Sequence, residues 1–120
     1  GAYITGLYAL HWHNLVTQVP VEITCFTNRG HSHSRKRKTP LGSVVFVHVS
    51  PKIYCKPQGG AIAGPEQGLC DFVYMARRRG LNPMTLVSFK NLHKIRARIL
   101  SSVLRNYPAS AVTSVKQITG

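Results

Sequence analysis

The stretch Gly64–Leu81, GPEQGLCDFVYMARRRGL, decides how the rest of the chain is read. It reads as one helix with both ends marked. Pro65 suits the first helical position, where a fixed φ helps and a missing N–H costs nothing. Glu66 stands in the first turn, where the helix dipole favours a carboxylate. Leu69, Phe72, Val73 and Ala76 keep the i, i+3, i+4, i+7 spacing of a buried face. Arg77, Arg78 and Arg79 fill the last turn, and Gly80 is placed for a left-handed cap. An apolar stripe anchors this helix in a core, and its exit delivers guanidiniums to the surface.

Around that helix the charge balance is lopsided. In 120 residues, sixteen Lys and Arg face three acids, Glu22, Glu66 and Asp71, for a net charge of +13. Self-repulsion on that scale works against a small fold, so a polyanionic partner is the expected context, nucleic acid first and an anionic membrane surface second. No apolar run approaches the roughly 20 residues of a membrane span, and no secretory signal pattern is present. The length fits one domain with a core of its own. Gly1 in place of an initiator Met suggests a processed or excised piece of a longer chain. Cys25, Cys55 and Cys70 form no CxxC and no close pair, which fits reduced structural thiols of a cytosolic protein.

Taken from the start, Ala2–Thr5 reads as a short strand, after which Thr5 caps a helix over Gly6–Leu15. His11 and His13 flank the single Trp12; on a helix, i and i+2 diverge, so this HxH reads as an amphipathic rim. Val21–Thr27 alternates and is β-rich, with Val21, Ile23 and Cys25 on one side. Asn28–Gly42, NRGHSHSRKRKTPLG, has too few apolar residues to build a core. It reads as an exposed basic loop carrying Arg35, Lys36, Arg37 and Lys38. The HSH of His31 and His33 lacks a Cys or an acid nearby to complete a metal site. Ser43–Ser50 has the near-continuous β-branched and aromatic content of a strand buried on both faces, pairing with Val21–Thr27 as a hairpin. Lys52–Lys56 alternates as a third strand. Beyond the central helix, Asn82 and Pro83 restart the chain as cap and first helical residue. Asn91–Tyr107 carries a stripe of Leu92, Ile95, Ile99, Val103 and Tyr107, with Lys94, Arg96 and Arg98 on other faces and no acid at i+4 to pair them. Ala109–Ile118 reads as a terminal helix. These segments predict an α+β fold: a small, mostly antiparallel sheet of about three strands packed with about four helices.

Several chemistries lack their residues. Metal-dependent nucleases and phosphoryl transferases need clustered carboxylates, and Glu66 and Asp71 sit on different faces of one helix. Gln58–Ala63 is Gly-rich but lacks the P-loop Lys and Ser/Thr, and there is no GxGxxG or GxSxG. A metal-free nuclease working through His11, His13 or Glu66 stays open as an alternative. So does a protein-binding module for an acidic partner.

Two motifs in order resemble one family. ITGLYALHWHNLVTQVP, Ile4–Pro20, followed by a β region and then by Gly64–Leu81, is similar to the AbiEi-type antitoxins of bacterial abortive-infection systems. Ala9, Leu10, His11, Leu15, Gln18 and Pro20 match the first motif; Pro65, Glu66, Leu69, Asp71, Arg78 and Gly80 match the second. Asn14 stands where the family commonly has Gly, and Gly68 where it has Ala. The resemblance implies a type IV toxin–antitoxin system for phage defence. There, a winged helix-turn-helix binds the promoter for transcriptional regulation, and a following antitoxin domain with a basic face counteracts a nucleotidyltransferase-like toxin without a stable complex. Residues 1–120 correspond to that antitoxin domain without the winged helix, which weakens the expectation of sequence-specific DNA binding.

The expected function is therefore non-enzymatic binding of nucleic acid, DNA ahead of RNA, in the cytoplasm and away from membranes. The expected contacts are Arg35, Lys36, Arg37, Lys38, Arg77, Arg78, Arg79, Lys94, Arg96 and Arg98. No catalytic residue, metal ligand or cofactor is expected.

Overall fold

The computed structural model describes residues 1–30, 35–40 and 42–120. It is an α+β fold. The strands are β1 (Ala2–Thr5), β2 (Glu22–Thr27), β3 (Arg35–Thr39) and β4 (Gly42–His48). The helices are α1 (Gly6–Trp12), α2 (Pro65–Arg78), α3 (Pro83–Leu86), α4 (Ala97–Leu104) and α5 (Ala109–Thr119), with a 3₁₀ turn at Leu92–Lys94.

The sheet departs from the expected three-stranded, mostly antiparallel form. It has four strands in the order β1-β2-β4-β3, and its central pair, β2 and β4, is parallel. The cause is the basic stretch. Arg35–Thr39 is an edge strand rather than a loop, paired antiparallel with β4 from Arg35↔Phe46 to Thr39↔Gly42. The turn through Pro40 makes β3 the hairpin partner of β4, and the Thr39 hydroxyl donates to the Gly42 carbonyl at 2.8 Å. β3 begins near the end of β2, two strand spacings away, and β4 runs between them.

Other expectations also shift. Lys52–Lys56 is not a strand: Pro51 cannot donate to a ladder, and the Ile53 and Tyr54 amides both bond to the Ser50 carbonyl, curling the chain. The helix expected over Asn91–Tyr107 is broken, because Asn91 takes φ +54 and Ile95 and Arg96 are extended. The first helix stops at Trp12 rather than Leu15. Thr5 makes no side-chain cap to it; the hydroxyl is engaged elsewhere.

α1 and α2 end alike. Asn14 (φ +63) and Gly80 (φ +71) are left-handed, and the next residue's amide reaches back to close the turn, Leu15 to Leu10 at 2.8 Å and Leu81 to Ala76 at 2.9 Å. Asn tolerates that conformation better than other side chains, which explains how Asn14 fills a position suited to Gly. The core lies between the inner face of the sheet and the helices, around Tyr3, Leu10, Phe26, Val47, Leu69, Val73, Leu104 and Val115.

Candidate nucleic-acid interface

α2 carries the site because its inner face is pinned on all sides. Gly68 lets α1 come close: a Cβ there would stand 3.1 Å from the Ala9 Cβ. One turn later Asp71 is fully buried. Its carboxylate accepts from Thr5 Oγ1 (2.6 Å), Tyr3 Oη (2.9 Å), Gln67 Nε2 (3.2 Å to Oδ1) and the Tyr107 hydroxyl. Burial pushes the Asp71 carboxyl up to about 6, against the pull of these donors. Burial and the neighbouring carboxylate raise both the Tyr3 and Tyr107 phenols well above their ordinary range. Burial likewise raises the Cys70 and Cys25 thiols. Glu66 is 2% exposed; Oε2 accepts the Arg96 backbone N–H at 2.8 Å, and Oε1 lies 3.6 Å from the Arg96 guanidinium.

The acids are thus spent inside or at an edge, while most cations stay outside. Among the described residues two ion pairs form, Arg96–Glu66 and Lys36–Glu22. At the exit of α2, the Arg77 Nε donates to Ser114 Oγ at 2.7 Å, which ties that side chain to α5. The Arg78 guanidinium lies over the Tyr74 ring at 5.4 Å, and Arg79 is exposed.

Contacts along α2 show where this exit points. Asp71 meets Tyr3 and Thr5 of β1, and the Tyr74 ring meets Phe26 of β2. Arg79 shares a shallow groove with Leu7 and Thr24. Two residues further along that face of β2, Glu22 holds Lys36. The α2 exit therefore points to the sheet corner where the inner side of β3 presents Lys36 and Lys38.

The ten cations expected from sequence do not form one face. Arg79 borders Thr24 on the side of the sheet where β3 carries Lys36 and Lys38, Lys36 being paired with Glu22, and Arg78 lies one residue before it over Tyr74. Arg35 and Arg37 alternate to the opposite side of the sheet, in register with Phe46 and Val44. Lys94, Arg96 and Arg98 belong to the other end of α2. Lys94 Nζ is 3.4 Å from the His13 carbonyl, Arg96 is held by Glu66, and Arg98 is exposed. At 1.5 Å per residue, Glu66 and Arg79 are about 20 Å apart along the helix. That exceeds the Debye length of about 8 Å at physiological salt, so the two ends act as separate electrostatic surfaces.

The histidine readings divide. His11 is exposed, and His13 Nε2 contacts the Ala63 carbonyl at 2.8 Å. His31 and His33 lie outside the described residues. Among the described residues no three His, Cys, Asp or Glu gather to hold a metal ion, and no helix is long and apolar enough to cross a membrane. The expectation that β4 is buried on both faces is corrected: Val44 and Phe46 are half-buried and stand outside the core cluster. The strand alternation that could have revealed this was masked by four apolar residues in a row, Val44–Val47.

No protein-family model matches this chain, and comparison with curated proteins and with solved structures finds no match.

Proposed function

We propose that this domain binds nucleic acid without catalysing a reaction, through the corner formed by Lys36, Lys38, Arg78 and Arg79. The observation that carries the reading is how few cations meet a carboxylate: sixteen Lys and Arg, and two ion pairs among the described residues. A solvated surface ordinarily mixes both signs, so a surface of nearly one sign favours a polyanion. Support for a non-catalytic role comes from the acids themselves. Glu66 is occupied by Arg96 and Asp71 lies under hydroxyls, so neither is presented to a substrate or a divalent ion. In the setting implied by the two AbiEi-like motifs, the domain serves as a cytoplasmic antitoxin opposing a nucleotidyltransferase-like toxin.

The test is binding of duplex DNA across a salt series. Each phosphate contact adds roughly 0.9 to the log–log slope, so a slope of about −4 or steeper is expected. A flat salt response contradicts the reading. An acidic-protein pull-down that survives nuclease and high salt favours the protein-binding alternative, and EDTA-resistant cleavage of DNA or RNA lost in His13→Ala favours the enzymatic one.

A further inference from the structure

The sheet has two chemically different faces. Cross-strand neighbours share a side, so the register sorts the residues into rows. The inner row, Tyr3, Phe26 and Val47, is buried under the helices. The outer side carries two rows, Ile23, Val44 and Arg37, then Cys25, Phe46 and Arg35, with His48 beyond Phe46. Ile23, Val44 and Phe46 are half-buried and stand outside the core cluster, while Cys25 beside them is buried. The contacts of α1 and α2 with the sheet fall on the inner row, at Tyr3, Thr5, Thr24 and Phe26. The Arg37 guanidinium sits over the Phe46 ring at 5.9 Å.

An apolar strip with an aromatic ring, edged by arginines, asks for a partner that is both flat and anionic. We propose that this outer face binds single-stranded nucleic acid: a base stacks on Phe46 beside His48, phosphates lie on Arg35 and Arg37, and Ile23 and Val44 form an apolar floor. The inference rests on the nucleic-acid reading above and adds a second site to it. Arg35 and Arg37 stand about 7 Å apart on one side of β3, so they follow a strand laid along the sheet edge. A duplex keeps its bases stacked inside and cannot offer one to Phe46, whereas a single strand can. A second copy of this chain would bring the same two arginines and another net charge of +13 against the same patch, so like charges would oppose its docking. In the free protein Arg37 occupies the ring; an exposed cation–π contact is weak enough to be exchanged for a base and a phosphate.

The experiment is fluorescence anisotropy with labelled oligothymidine, oligouridine and a random-sequence duplex. Phe46→Ala is expected to weaken binding of both single strands by roughly 5- to 150-fold while leaving the duplex unchanged. Phe46 lies outside the core, so this variant is expected to keep its fold. If single-strand affinity survives Phe46→Ala but falls when Lys36, Lys38, Arg78 and Arg79 are neutralised, the outer site is overturned and the proposed function stands. If the unmodified protein binds none of the probes, both are overturned. A dimer in sedimentation that Phe46→Ala dissolves would assign the face to self-association instead. Photocrosslinking of a bromodeoxyuridine strand needs no variant: adducts on the Gly42–His48 peptide support the site, and adducts confined to Arg77–Arg79 contradict it.

Discussion

At its first turn α2 buries Glu66 and aims both carboxylate oxygens at Arg96, whereas at its last turn it releases Arg78 and Arg79 to the surface. The same helix is a structural anchor at one end and a charge outlet at the other. The difference follows from what each end can afford to expose. The N-terminal turn has one of the chain's scarce acids, Glu66, which completes hydrogen bonds inside the fold. At the C-terminal end Arg77 is tied to Ser114, while Arg78 and Arg79 suit the dipole and stay exposed. Perturbing the anchored end should therefore cost stability, and perturbing the outlet should cost binding.

The largest stability effect is expected at Asp71. Asp71→Asn places an amide donor among hydroxyl and amide donors and should destabilise the fold by about 3 kcal/mol in urea unfolding at pH 4. Its pH dependence gives a second readout. The folded pKa is raised from 3.8 to about 6, so the protonated form is the one favoured by folding. The stability advantage of the wild type over Asp71→Asn is then fully present below about pH 4 and lost as pH rises through 6. It stays level above that, a change of at most about 3 kcal/mol. An advantage that grows over that window would show the hydroxyl donors outweighing burial.

Glu66→Ala should follow at about 2 kcal/mol, because it leaves the Arg96 N–H without its acceptor. Faster amide exchange at Arg96 and through the first turn of α4 would locate the loss. Gly80→Ala should cost about 1 kcal/mol, since φ +71 strains a residue with a Cβ. Neutralising Arg79 should change thermal stability least, by under about 0.5 kcal/mol, as a surface side chain without a hydrogen-bonded partner. A larger loss there would erase the contrast between the two ends.

Much of α2 was legible in sequence. Pro65, the apolar stripe and Gly80 specify a start, a face and a stop from local chemistry alone, and the helix spans Pro65–Arg78 with Gly80 left-handed. Asn82 likewise caps the short helix that Pro83 begins, accepting from the Met84 amide. What could not be read was non-local. Lys and Arg are poor strand formers by composition, and Arg35–Thr39 becomes a strand because β4 offers it an edge. The break before Ala97 depends on a carboxylate thirty residues earlier in the chain, Glu66, which takes the Arg96 amide. The division of the cations between two sheet faces and two helix ends follows from that pairing, so a tally of charge alone could not reveal it.

The most direct test compares the two ends of α2 by the salt dependence of duplex binding. Neutralising Lys36, Lys38, Arg78 and Arg79 together should flatten the log–log slope by roughly 3 to 4, at about 0.9 per phosphate contact. Neutralising Lys94 and Arg98 at the anchored end should leave it unchanged. Equal losses from both ends, or a loss only from the anchored end, would contradict a binding corner at the α2 exit.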